Sequence, residues 1–305
     1  MSVHPDAQKF LDITADSPPL DTQTAEQNRI DLAQAIPLTG EPVAMHEVRD
    51  TEIAGVPVRV YVPFESEESL PCVVYFHGGG WVMGTLDLAD TTVRMLAAEA
   101  GAVAVSVDYR LAPEHPFPAA IDDATAVVTA ILDDESGLRI NAEKVAIGGD
   151  SAGGNITAVI AQQLRNHDPA PLHQVLIYPV TDPAGMNTDS YATYGEGHYL
   201  TARDMTYFVD QYTGDTDRTD PRISPLRNDD LTGLAPATIV VAECDPLVAE
   251  SHAYGRAMWE AGNSVSLVQF AGQVHPFVYL GGVIGDAEVA RRHIGRQLKV
   301  AFETA

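Results

Sequence analysis

The 305 residues, 45% hydrophobic and 20% charged, are enough for one large α/β domain or two small ones around a substantial core. A formal net charge of -25, with lysine only at Lys9, Lys144 and Lys299, gives a surface that repels nucleic-acid phosphates and anionic membranes. Neither is expected as a partner, and such acidity fits either a salt-rich habitat or a GC-rich genome. The start, from Met1 to Asp6, carries no basic and apolar signal pattern, and no apolar run nears the ~20 residues of a membrane span. Cys72 and Cys244 lie in or beside apolar runs and read as buried free thiols, so the cytoplasm is the expected compartment.

Along the chain, residues 1–50 contain two helix-like stretches, Pro5–Thr14 and Thr22–Ala35, separated by Ser17-Pro18-Pro19. They read as an appendage on the main body, the N-terminal part of a cap. From Val56 strands and helices alternate, and residues 51–305 read as the main domain. Strands are expected at Val56–Val62, Cys72–Phe76, Ala102–Val107, Val145–Gly148, Gln174–Tyr178, Ala237–Ala242 and Ser264–Phe270. Helices are expected at Leu86–Ala100, Phe117–Leu132, Ala152–Asn166, Ala202–Tyr212, Pro246–Ala261 and Asp286–Phe302. Short β-branched runs alternating with longer helical patterns predict a mostly parallel sheet covered on both faces. Residues 179–234 break this rhythm and read as an insertion over the carboxyl edge of the sheet, where ligands bind in such folds.

Two glycine-rich stretches carry chemistry. Gly149-Asp150-Ser151-Ala152-Gly153 has the form G-x-S-x-G between a strand-like and a helix-like run, the context that exposes a serine hydroxyl on a sharp turn. His77-Gly78-Gly79-Gly80-Trp81 also follows a strand-like run, and its glycines let backbone N–H groups approach a ligand closely. One motif offers a nucleophile and the other offers donors for a negative oxygen, which together read as a serine hydrolase. The helix N-terminus at Ala152 adds a donor and a favourable dipole.

A serine nucleophile needs a base, and the fold predicts the chain order serine, acid, histidine. Six histidines follow Ser151. His275 falls in a loop after the last expected strand, level with the serine turn. His252 and His293 fall in helical patterns, His167 and His173 at the opposite end of a strand, and His198 in the insertion is the rival. For the acid, Asp245 leaves the sheet one strand earlier, with Glu243 and Asp182 as alternatives. A lone Asp before Pro246 also suits a helix cap. The selection rests on the three groups falling at successive strand ends in the required order.

On these residues the chain resembles the hormone-sensitive-lipase-like branch of the α/β-hydrolases, also called bacterial family IV esterases. Asp108-Tyr109-Arg110-Leu111-Ala112-Pro113-Glu114-His115-Pro116, Gly154-Asn155, Tyr178-Pro179 and Ile223-Ser224-Pro225-Leu226 also fit that family's pattern. The resemblance runs from about residue 45 to the C-terminus. It implies an α/β-hydrolase fold with a helical cap and a carboxylesterase for short- to medium-chain acyl or aryl esters, without metal or cofactor. Ser151, Asp245 and His275 would form the triad, and Gly78, Gly79, Gly80 and Ala152 would surround the oxyanion hole. His77, Asp150 and Glu250 would support them, and a homodimer through edge strands is implied. Other readings on the same machinery are an arylformamidase or a small-molecule deacetylase, with a lipase and a non-catalytic receptor further off. Two departures stand out: Val248-Ala249 replace an Arg-Asp pair, and Pro276 replaces a glycine after the histidine. Trp81, Tyr194, His198, Tyr199 and Phe208 are candidates for lining the substrate pockets, with surface or cap-core roles equally open.

Overall fold

The computed structural model describes residues 2–305. Its centre is one eight-stranded sheet: β1 (Glu47–Ile53), β2 (Val56–Val62), β3 (Leu70–Phe76), β4 (Val103–Val107), β5 (Ile140–Asp150), β6 (His173–Ile177), β7 (Ala237–Cys244) and β8 (Val265–Val274). The spatial order is β1-β2-β4-β3-β5-β6-β7-β8. Only β2 runs against the rest, since β1 and β4 each pair with it antiparallel and all other pairs are parallel. The β-branched runs are buried on both faces, as parallel strands require: every residue of β4 and β7 is buried.

The first strand was not anticipated, because Glu-Val-Arg-Asp-Thr-Glu-Ile lacks an apolar alternation. Its register comes from the turn instead. Ala54 and Gly55 both have positive φ, the geometry of a tight two-residue hairpin that pairs Ile53 with Val56. Opposite charges then face each other across it, with Arg59 Nε 2.7 Å from Asp50.

Helices α3 (Leu86–Ala100) and α9 (Gly285–Thr304) cover one face of the sheet; α4 (Ala119–Leu132), α5 (Ala152–Gln163) and α8 (Val248–Glu260) cover the other. The elements match the expected ones with their ends moved by a few residues. β5 starts five residues before the expected Val145, and β8 runs four residues beyond Phe270 so that His275 follows it directly. No helix among the described residues is long and apolar enough to cross a membrane.

Two segments lie outside this layering. Helices α1 (Pro5–Thr14) and α2 (Ala25–Ala33) precede the sheet, and α6 (Asp189–Tyr194) and α7 (Ala202–Thr213) lie between β6 and β7. Helix α6, six residues capped by Thr188, was not expected in a stretch read as irregular. α1 is anchored by Ala7 and Phe10, which are buried with the α3 and α9 side chains, and by the bond from His4 N to Gly272 O. α2 buries one residue, Asn28, and its hold is polar. Arg29 donates to the carbonyls of Val82 and Ala112 at 2.8 and 2.9 Å and to the Glu114 carboxylate. A helix of nine residues is marginal alone, so it depends on such tertiary contacts. Arg29→Ala is therefore expected to speed hydrogen exchange of the α2 amides by at least ~10-fold while the amides of β3 and β5 keep their protection. Unchanged exchange in α2 would contradict the assignment of Arg29 as its anchor.

Candidate active site

Four of the parallel strands deliver candidate residues at their carboxyl ends: β3 leads into His77, β5 into Ser151, β7 into Asp245 and β8 into His275. Ser151 has φ 54° and ψ -118°, a conformation that a side-chain-bearing residue adopts only when its surroundings force it. The forcing is visible at the flanking glycines. A Cβ at Gly149 would stand 2.5 Å from Phe76 O, and one at Gly153 would stand 2.7 Å from His77 O. The elbow is thus pressed against the backbone leaving β3, which explains why the spacing G-x-S-x-G is needed there.

The glycine loop bends through Gly79 (φ 117°) and Gly80 (φ 61°). Gly79 O accepts from Met83 N at 2.8 Å, so the turn is closed on its carbonyl side. The N–H groups of Gly79 and Gly80 have no protein acceptor among the described residues. Gly78 differs from the expectation: it lines the cavity, but its N–H donates to Asp150 Oδ1 at 3.0 Å. A committed amide is not free to bind an oxyanion, which leaves Gly79, Gly80 and Ala152 as the available donors.

His77 is buried behind this loop. Its Nδ1 is 2.7 Å from Gly78 O, and its ring stacks on Tyr109 at 4.5 Å, whose hydroxyl donates to His77 O. Burial pushes the imidazole pKa below its usual range, against the opposing pull of the Gly78 carbonyl and Asp108.

Asp245 is fully buried, and its Oδ2 lies 2.9 Å from His275 Nδ1 while Oδ1 accepts from Leu247 N at 2.8 Å. In the tautomer whose Nδ1 proton this carboxylate accepts, Nε2 is the accepting nitrogen of the ring. Ser151 and His275, 6% and 5% exposed, open onto one cavity of about 1150 Å3 together with Gly79 and Gly80. No hydrogen bond joins Ser151 Oγ to His275 in this resting structure. Phe10 and Leu32 of the N-terminal helices, Met83 just after the glycine loop, and Leu200, Met205 and Phe208 of the insertion contribute apolar walls.

The model of a family described as having the alpha/beta hydrolase fold matches residues 73–279. The chain belongs to that family. Its sequence is 36% identical to an ethyl acetate hydrolase of Pseudomonas putida, over 94% of this chain and 96% of that protein. It is 37% identical to the carboxylesterase NlhH of Mycobacterium tuberculosis, over 94% and 93% of the two. A solved ester-hydrolase from the metagenome of Lake Arreo superposes with a TM-score of 0.94 at 35% identity, covering 99% of each chain. The fold of this hydrolase is therefore the α/β-hydrolase fold, in its hormone-sensitive-lipase-like branch.

The other candidates of this hydrolase take ordinary structural roles. Glu243 accepts from Gly272 N at 2.7 Å, and Asp182 pairs with Arg227 at 2.5 Å. His198 binds Glu196 O and stands against Tyr194, outside the cavity. Trp81 does line the cavity, stacked flat on Tyr212 of α7 at 4.4 Å, and Phe208 sits where a Cβ on Gly80 would be. Tyr199 lines it too, against Phe10 at 4.7 Å. Tyr178, whose ring is 4.5 Å from that of His275, and Tyr279, whose hydroxyl meets Asp150, were not foreseen. Tyr178 was marked only as part of the family's Tyr-Pro pattern, with no role attached, and nothing in a loop tyrosine such as Tyr279 marks it out before the loops are folded.

Behind the acid, Glu250 Oε1 accepts from Thr181 N at 2.6 Å and Asp182 N at 3.2 Å, while Oε2 is buried without a partner. Burial pushes this carboxyl up to about 8 from 4.5. The folded state thus keeps a proton that the unfolded chain has released, and stability contributed this way is lost as pH rises between about 4.5 and about 8. Glu250→Gln is expected to flatten the pH dependence of the urea midpoint in that window, by up to about 1 kcal/mol per pH unit. An identical slope in both proteins would contradict a protonated Glu250.

Proposed function

We propose that this protein is a serine carboxylesterase that hydrolyses short- to medium-chain acyl or aryl esters through an acyl-enzyme. The reading rests on one observation above all. A buried carboxylate holds the Nδ1 side of His275, and this histidine lines a cavity that also contains a serine on a strained elbow and two backbone N–H groups unpaired among the described residues.

In the first step Ser151 Oγ attacks the ester carbonyl carbon and its proton passes to His275 Nε2. Asp245 fixes the tautomer that can accept it and stabilises the cation that results. The carbonyl π pair moves onto oxygen, and that charge is met by the N–H groups of Gly79, Gly80 and Ala152, which need no reorganisation to receive it. Collapse of the adduct expels the alcohol, which takes the proton from His275. Water then attacks the acyl-enzyme by the same route in reverse, releasing the acid and restoring Ser151. The Ser151–His275 hydrogen bond forms as substrate fills the cavity; such contacts are commonly long before substrate binds.

Residues 1–50 and 179–234 act in this reading as a cap that closes the cavity and sets acyl and alcohol preference. What supports it is their supply of apolar walls, Phe10 and Leu32 from one segment and Leu200, Met205 and Phe208 from the other. The ethyl acetate hydrolase and carboxylesterase names of the relatives agree with an ester as substrate.

Ser151→Ala should fold normally and lose at least ~1,000-fold in turnover of p-nitrophenyl butyrate, with no burst of nitrophenol. Asp245→Asn, which disturbs the imidazole tautomer, should lower kcat by about 1,000- to 10,000-fold with KM little changed. Near-normal turnover by the serine variant would sink the mechanism. A series of acyl chains from two to sixteen carbons should peak at or below about eight; a maximum at the longest chains would contradict the proposed substrate class.

A further inference from the structure

We propose that Tyr279 is a positioning residue for this reaction, its phenol fastening the loop that carries His275 to the loop that supplies the oxyanion donors. The proposal rests on the Ser151 reading above and adds the device that holds its two halves in register.

The fastening point is Asp150, the residue before the serine and 1% exposed. Its Oδ1 gathers three donors from three segments: Tyr75 OH of β3 at 2.8 Å, Gly78 N of the glycine loop at 3.0 Å, and Tyr279 OH. Gly78 N is also 3.3 Å from the Tyr279 hydroxyl. The Gly78 peptide is therefore held between a carboxylate and a phenol, and its orientation sets where the next two N–H groups point. The other oxygen, Oδ2, is buried without a partner, on the side where a Cβ at Gly78 would fall. No spare group there can replace a lost donor.

The tyrosine is itself held from behind. Tyr279 ends a short turn that starts four residues earlier at His275, and its N–H donates to Pro276 O at 3.0 Å. From α9 the buried Arg291 donates to Val278 O at 2.7 Å and Tyr279 O at 2.8 Å. Among the described residues that guanidinium has no carboxylate partner; it serves as a fork on main-chain carbonyls. A continuous path thus runs from α9 through the His275 turn and the phenol to Asp150 and Gly78.

Charge gives the path a second signature. Burial pushes the Asp150 carboxyl up to about 6, and the hydrogen bonds from Tyr279 and Tyr75, the nearby His275 and the Gly78 N–H pull against that rise. Tyr109 and Tyr178 are also within electrostatic reach of it, and Tyr178 in turn of Arg291 and Asp245. Removing the Tyr279 hydroxyl takes away a group that favours the anion, so the carboxyl should take up its proton at higher pH.

The experiment compares wild type, Tyr279→Phe, Asp150→Asn and the double variant on p-nitrophenyl butyrate from pH 5 to 9. Thermal melts check folding, and a trifluoromethyl ketone, which places an oxyanion in the same site, serves as probe. Tyr279→Phe should lower kcat about 10- to 100-fold, less than losing a direct oxyanion donor, with KM within about threefold of wild type. Inhibition by the ketone should weaken in step, and the acid limb of kcat/KM should move to higher pH. The double variant should be no worse than Asp150→Asn alone within about threefold, because both substitutions break one path. A folded Tyr279→Phe with wild-type kcat and pH profile, or losses that multiply in the double variant, would overturn the proposal. If Tyr279→Phe does not fold, Asp150→Asn decides: the same kcat loss at constant KM supports the path, and wild-type kcat overturns it. Labelling of the wild type by a fluorophosphonate at Ser151 reads the underlying mechanism separately, since its absence would remove that reading whatever the Tyr279 variants do.

Discussion

The contact between two stretches of main chain, the elbow at Gly149–Gly153 and the backbone leaving β3 at Phe76–His77, governs this site. It is tight enough that neither glycine could carry a side chain. Two consequences follow from that single packing constraint. Ser151 is driven into a conformation that lifts its hydroxyl toward the cavity, and the glycine loop is brought beside it with N–H groups unpaired. The same closeness lets Asp150 reach Gly78. The proposed nucleophile and the proposed oxyanion donors are therefore placed by one piece of backbone geometry, not by separate side-chain contacts.

Around that contact the parallel sheet does the spacing. Strands β5 and β7 are separated only by β6, and β8 adjoins β7, so residues just beyond their carboxyl ends converge. Asp245 and His275 leave neighbouring strands and meet at 2.9 Å with almost no solvent contact. A buried carboxylate is costly to desolvate, and Asp245 offsets part of that cost through its bonds to His275 Nδ1 and from Leu247 N. Pro276 in place of a glycine is compatible with this arrangement: the short helical turn Phe277–Tyr279 begins immediately after it.

Much of this was readable from residue order. The glycine motifs, the strand-to-helix context of the serine and the order of acid and base are local signals, and local signals survive the absence of coordinates. Asp245 could be favoured over Glu243 because its position after a strand differs from one within it; the structure spends Glu243 on Gly272 N. What could not be read depends on side chains meeting across long separations. Strand β1 is polar on most of its length and owes its place to a turn and a salt bridge. Gly78 looked like its two neighbours until Asp150 was seen to claim its N–H, and Tyr279 carries no sequence signal for a partner 129 residues earlier.

The most direct test of the central claim is intact and peptide-level mass spectrometry of the enzyme quenched with acid during turnover of p-nitrophenyl butyrate. An acyl-enzyme on the proposed path adds one butyryl group, and the added mass maps to the peptide bearing Ser151. Butyryl mass on another residue, or none at all under conditions where release of the acid limits turnover, would contradict it.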